Sequence, residues 1–214
     1  MVSVSIQDQL EQLRAGDRVK CHGLQWQITD YSTYQDPNGY ETAEWLLQSG
    51  GGTEYYLLRE VDPQNPETLV HWYLASEIPH PALFQPNSED NVLPNLWLDM
   101  QAQKTPYPEL RCFGKNYYFE SQTQGSYEGD EENTSRITWD YWDRSHQWNL
   151  AIEAWPDREL HIYTSKVVKP EEFSEIEKGV FTPTQTQDSR SISVAQVVAA
   201  SLFLVVGLYL LIFG

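Results

Sequence analysis

Residues 20–26 read KCHGLQW and residues 111–117 read RCFGKNY. Each carries a basic residue, Cys, an aromatic ring, Gly, a variable position, a side-chain amide and a second aromatic, offset by 91 positions. The match continues downstream: residues 56–60 (YLLRE) align with 149–153 (NLAIE) at an offset of 93, and 71–73 (HWY) with 161–163 (HIY) at 90. Loops absorb such small length changes. The pattern predicts an internal duplication, with units at about 17–77 and 109–164 in one two-unit head; a solenoid needs more copies.

Outward from these motifs, period-two alternation and turn residues divide each unit into short strands. In the first, Val19 and Cys21 alternate with polar residues, Gly23-Leu24 marks a tight turn, and residues 25–34 alternate around Trp26 and Ile28. Asp36-Pro37-Asn38-Gly39 reads as a turn, 42–47 as a third strand, 49–53 as a glycine-rich hairpin loop, and 54–61 and 69–76 as closing strands. The second unit repeats this order over 109–164, with an acidic loop at 125–133 in place of the first turn. Pro170 leads a closing piece at 171–176, either helical or extended. Ahead of the first unit, Ile6, Leu10 and Leu13 fall on one helical face and Gly16 stands where that helix would end. Residues 79–108 read as an irregular connector that Leu93, Leu96 and Trp97 turn into a docking strap. The expected fold is mainly β: two duplicated small antiparallel sheets or half-barrels with an N-terminal helix. Eight Trp and thirteen Tyr among 214 residues agree, since aromatic residues favour strands.

The formal charge is -17, and beyond Lys178 the charged residues are Asp188 and Arg190, which cancel, so the excess belongs to a head at 1–178. Such a field repels phosphate backbones and anionic lipid, which argues against nucleic acid as a partner and favours cations, polyamines or basic proteins. Acidity that serves only solubility is the simpler account. Two cysteines, Cys21 and Cys112, form no CxxC and no disulfide framework. The first residues lack the basic and apolar regions of a secretory leader.

Residues 192–213 read ISVAQVVAASLFLVVGLYLLIF, 22 residues without a charge. As a helix they would extend roughly 33 Å, against a hydrocarbon core of about 30 Å. The expectation is a single-pass, tail-anchored membrane protein, with Lys178 and Arg190 on the side of a cytoplasmic head. Ala195 and Ala199 have the small-xxx-small spacing of paired helices, although lipid-facing alanines give the same pattern. Between head and span, residues 179–191 have the Thr, Gln, Ser and Pro content of a flexible tether.

Chemical motifs are few. No GxSxG elbow is present, and Cys21 and Cys112 lie on the apolar phase of their strands, as core residues do. Ser49-Gly50-Gly51-Gly52 lacks the Lys-Ser/Thr of a phosphate loop. The five histidines, at 22, 71, 80, 146 and 161, have no metal-ligand spacing, and the acidic run at Glu128, Asp130, Glu131 and Glu132 lacks that of a calcium loop. Neither a metal nor a cofactor is expected. Trp45, Trp139, Trp142 and Trp148 suggest sugar stacking or, more simply, sheet core. The candidate ligand-binding residues are Glu60 and Glu153, which end equivalent strands. Brought together by a two-fold arrangement they would form a paired acid and base; otherwise each caps a turn or pairs with an arginine.

Gly16-Asp17, Gly23 with Trp26, Glu44-Trp45 and Glu60, together with TWDYW at 138–142 and NLAIE, resemble a bacterial family catalogued as domain of unknown function 4178. The likeness spans about 15–177. It implies no reaction and no catalytic residues. Its members, many of them cyanobacterial, accompany membrane proteins, polyamine-synthesis enzymes and envelope-stress proteins, which implies a membrane-linked auxiliary role. Two function classes follow. One is a non-enzymatic interaction, assembly or membrane-stress factor that meets integral membrane proteins at the cytoplasmic face, photosynthetic membranes among them. The other is a cation- or polyamine-binding module, or an enzyme, with its cleft between the two units.

Overall fold

The computed structural model describes residues 5–35, 41–61, 64, 70–126 and 135–179. The chain is mainly β and antiparallel, and it divides into two compact units, one built from the residues up to Ser76 with those from Val167, the other from 77–166.

In the first unit β1 (Arg18–Cys21), β2 (Leu24–Gln35), β3 (Glu41–Ser49), β4 (Glu54–Val61) and β5 (Val70–Glu77) run as an antiparallel meander. Strand alternation sends Val19, Cys21, Trp26, Ile28, Ala43, Trp45, Leu47, Leu57 and Trp72 to one face. There they bury against Leu10 and Leu13, around the helix α1 (Ile6–Glu11). Ser5 starts α1 through a reciprocal capping pair: its Oγ accepts from the Asp8 amide at 3.1 Å and Asp8 Oδ2 accepts from the Ser5 amide at 3.2 Å. The helix ends at Glu11, well short of Gly16; Leu13 follows in a turn, where its carbonyl accepts from Trp45 Nε1 at 3.0 Å.

The second unit has the same sequence of strands: β6 (Glu109–Cys112), β7 (Lys115–Ser126), β8 (Ser135–Trp142), β9 (Trp148–Ala154) and β10 (Leu160–Val167). Its core gathers Leu110, Cys112, Tyr117, Trp139, Tyr141, Leu150, Ile152 and Ile162. Here the expected irregular strap is corrected. Residues 93–101 form a helix, α2 (Leu93–Gln101), with Pro94 in its first turn, where a missing N–H costs nothing. Leu96 and Met100 are buried in the core, and Trp97 Nε1 donates to the Trp155 carbonyl at 2.7 Å.

Corresponding details recur in both units. Strands β1 and β6 have four residues each, β2 and β7 twelve each. The ladder is irregular between Ile28 and Asp30 in one and between Phe119 and Ser121 in the other. The first hairpin turns through His22 (φ 51) and Gly23 (φ 79), its counterpart through Phe113 (φ 49) and Gly114 (φ 75). Cys21 and Cys112 are buried free thiols.

The closing piece after Pro170 is both of its expected forms in succession: a 3-10 turn at Pro170–Glu172, then β11 (Phe173–Glu177), which pairs with β1. Beyond it, Asp17 gathers the chain. Its carboxylate accepts from the amides of Arg14 and Gly179, each at 2.9 Å, and from Lys178 Nζ at 2.8 Å. A methyl group on Gly179 would overlap the Gly16 carbonyl, so glycine is required by this approach. Among the described residues no helix is long and apolar enough to cross a membrane; the predicted span at 192–213, with Ala195 and Ala199, lies outside them, as do the remainder of the tether and the acidic run at 128–132.

Candidate buried polar site

Because side chains alternate along a strand, filling one face with Trp45, Leu57 and Trp72 commits the intervening residues to the other. On that second face of the first unit lie Thr42 and Glu44 of β3, Leu58 and Glu60 of β4, and Tyr73 of β5, each no more than 2 % exposed. The ladder sets Thr42 opposite Glu60, Glu44 opposite Leu58, Glu60 opposite His71 and Leu58 opposite Tyr73. The rings of His71 and Tyr73 stack at 6.3 Å.

The second unit repeats the arrangement. Thr138 faces Glu153, Asp140 faces Ala151, Glu153 faces His161 and Ala151 faces Tyr163. His161 and Tyr163 stack at 6.4 Å. A basic residue is added here: the buried Arg136 places Nη1 3.6 Å from Glu153 Oε2, and its guanidinium lies 5.6 Å from the Trp155 ring centre. Asn149 Nδ2 donates to Asp140 Oδ1 at 3.4 Å.

Burial dominates the electrostatics. It raises the Glu44 carboxyl to about 8, with the charge of Asp30 adding to the rise. Burial likewise lifts Asp140 well above the ordinary carboxylate range; Asn149 and Arg136 oppose this, and Glu153 adds to it. Tyr73 is pushed far up by burial and by Glu60. For His161, burial favours the neutral ring, but hydrogen bonds to Glu77 and Glu159 and their charges outweigh it and hold its pKa above the ordinary value. Each unit thus buries a carboxyl group that resists ionisation, in a setting of hydroxyls and rings.

Glu60 and Glu153 occupy equivalent places, each in its own unit and opposite a threonine. Glu153 has an arginine beside it. Glu44 and Asp140, whose carboxyls burial raises, were not singled out as ligand-binding residues by the sequence. The signal that could have found them is an alignment of Thr42 with Thr138, which puts Glu44 and Asp140 in register. Trp45 and Trp139 are core residues with no exposure, and Trp142 is 3 % exposed; the ring of Trp148 is covered by Lys115 Nζ at 3.3 Å from its centre. Among the described residues no group of three or more His, Cys, Asp or Glu is placed to hold a metal ion.

The model of a family described as "Domain of unknown function (DUF4178)" matches residues 14–170. Comparison with curated proteins and with solved structures gives no match.

Proposed function

The chain belongs to that family of domains of unknown function, and from this premise we propose a tail-anchored membrane protein whose cytoplasmic head is a non-enzymatic interaction or assembly factor for integral membrane proteins. The observation that carries the reading is the uncharged run of 22 residues at 192–213. It has the length and composition of one membrane crossing, and burying it in a core would leave it without the polar face that globular helices keep. The Asp17 clasp on Lys178 and Gly179 supports it, since it fixes where the tether leaves the first unit. So does Phe113, 72 % exposed at a hairpin tip in a backbone conformation that suits glycine or asparagine better. An apolar ring kept there is suited to contact with a partner.

The likeness in strand length, ladder irregularity and turn conformation supports an internal duplication with two related units. A second functional reading, a module for a small cation, is favoured by the charge of -17 and by the buried carboxyl of Glu44.

The anchor is tested by washing membranes with alkaline carbonate, after which the protein should remain in the pellet. Protease added to the cytoplasmic side should digest the head. Release by carbonate would remove the anchor from the proposal, and a protected head in correctly oriented vesicles would reverse the orientation.

A further inference from the structure

Strand register brings two turns of the second unit to one end. Trp142 of β8 faces Tyr118 of β7 on one side and Asn149 of β9 on the other, so the β6–β7 turn at Phe113-Gly114 and the β8–β9 loop at 143–147 leave the ladder together. Side chains from the two turns meet there. Lys115 Nζ lies 3.3 Å from the centre of the Trp148 ring, and the guanidinium carbon of Arg144 lies 5.0 Å from that of Tyr118. Phe113, Lys115 and Arg144 are all exposed, Phe113 at 72 %. The fold does not call for that ring: at φ 49 its position suits asparagine or glycine better, and a methyl group on the neighbouring Gly114 would meet nothing within 4 Å.

This end also departs from the charge of the chain. In a protein of net charge -17, Lys20, Arg59, Lys104 and Lys178 are held by Glu175, Glu11, Asp99 and Asp17. Lys115 and Arg144 instead lie over rings, and a ring beneath a cation leaves most of its N–H donors for another partner. The nearby carboxylates are engaged: Asp143 accepts from the Ser145 hydroxyl and the amides of Gln147 and Trp148, Glu120 lies 3.2 Å from His146, and Glu89 lies 3.2 Å from Arg111. The same end of the first unit is different. There the tip residue is His22, 2.9 Å from Glu172; the loop at 49–53 is SGGGT, without ring or charge; and the exposed Leu24 stands beside these paired groups.

We propose that this end of the second unit, with Phe113 at its tip and Lys115 and Arg144 beside it, docks on an anionic lipid surface. The assignment rests on the membrane reading above and gives the head a lipid-facing end. An aromatic ring settles below the lipid phosphates, while Lys and Arg side chains reach up to them. A deformable interface needs no matching pocket for a protruding ring, which favours lipid over a protein surface. The acidic remainder of the head is repelled by the same charge, so contact is confined to this end.

The test places 4-fluorophenylalanine at position 113 of the full-length chain, in vesicles of phosphatidylcholine with phosphatidylserine, and reads its fluorine signal with nitroxide-labelled lipid present. Broadening by the nitroxide is expected, and vesicles of phosphatidylcholine alone should give much less. Lys115→Gln and Arg144→Gln should each lower the ratio of docked to free tip by about fivefold. Lys20→Gln, which removes a cation of the first unit held by Glu175, should change nothing. Both test residues are exposed, so the variants should fold, which circular dichroism would verify. Retention through a carbonate wash of the same vesicles reads the anchor separately. A retained protein whose signal stays sharp would overturn the lipid contact and leave the anchor standing; broadening in a protein that carbonate releases would do the reverse. Broadening that ignores both substitutions and the lipid charge would overturn the site, since an anchor alone would press any tip against the bilayer. A signal that is sharp on lipid vesicles yet shifts when solubilised membrane proteins are added would give the ring to a protein and equally overturn it.

Discussion

Glu44 and Asp17 are both buried acids, and their surroundings drive them in opposite directions. Burial and the charge of Asp30 raise Glu44 from an ordinary 4.5 to about 8. Between those values the folded protein keeps a proton that the unfolded chain has lost, so stability falls as pH rises through this window and levels off above it. With no cation added, Glu44→Gln should therefore be more stable than the parent by an amount that grows from pH 4.5 to about 8, reaching on the order of a few kcal/mol. Urea unfolding at several pH values measures this, and a pH-independent difference would show that Glu44 ionises normally in the fold. For Asp17, burial also raises the pKa, but hydrogen bonds from Lys178 and from the Gly179 and Arg14 amides, with the Lys178 charge, bring it below its ordinary 3.8. Its contribution is complete above that value and is lost as pH falls through the lower, folded one. Asp17→Asn should cost about 1–3 kcal/mol at neutral pH, and the gap from the parent should close in acid.

Hairpins show at the scale of elements why the two units were readable. The left-handed pairs His22-Gly23 and Phe113-Gly114 form two-residue turns, for which Asn-Gly is the favoured sequence. A methyl group at Gly23 or Gly114 would meet no atom within 4 Å, so alanine there should cost only the left-handed penalty, about 1–2 kcal/mol and similar at both sites. Phe113→Asn should hold or raise stability, up to about 1 kcal/mol, while removing an exposed ring. If that substitution destabilises the protein, the ring packs in a way its exposure conceals. Glycine after an aromatic residue, flanked by alternating apolar positions, made these turns and the strands beside them legible. The helix α2 was not: Val92 gives it no side-chain cap, Pro94 reads as a breaker, and only Leu96, Asp99 and Met100 of its residues are buried. The site was half legible. Repeat alignment found Glu60 and Glu153 as strand-ending acids, whereas Glu44 and Asp140 sit in β3 and β8 where an alternating pattern predicts a solvated polar face. Burial of both faces is a tertiary fact that alternation does not encode.

For the whole molecule, the question is whether the segment beyond Gly179 supplies contacts or only location. The described strands build their cores from strand and helix residues up to Ile176, so removing 192–214 should leave the fold intact, with cooperative unfolding unchanged. Cutting after Glu177 is a different operation, because it deletes Lys178 and Gly179 and leaves Asp17 buried without two of its donors; this shorter chain should be less stable by about 1–3 kcal/mol. On the proposal that the residues after Gly179 tether the head to a span, a reach of roughly 20 Å for about twelve residues would confine the head to a thin layer in which its effective concentration toward a membrane partner is high. Loss of the span should accordingly weaken partner binding without abolishing it, and an unrelated transmembrane helix in its place should restore it, as read by co-purification from detergent-solubilised membranes. An enzyme with a soluble substrate would behave otherwise, keeping its turnover after truncation. If the exchanged anchor is inserted and the head folded, yet the partner is not recovered, recognition lies in the span itself, and Ala195 and Ala199, with their small-xxx-small spacing, are the positions to enlarge.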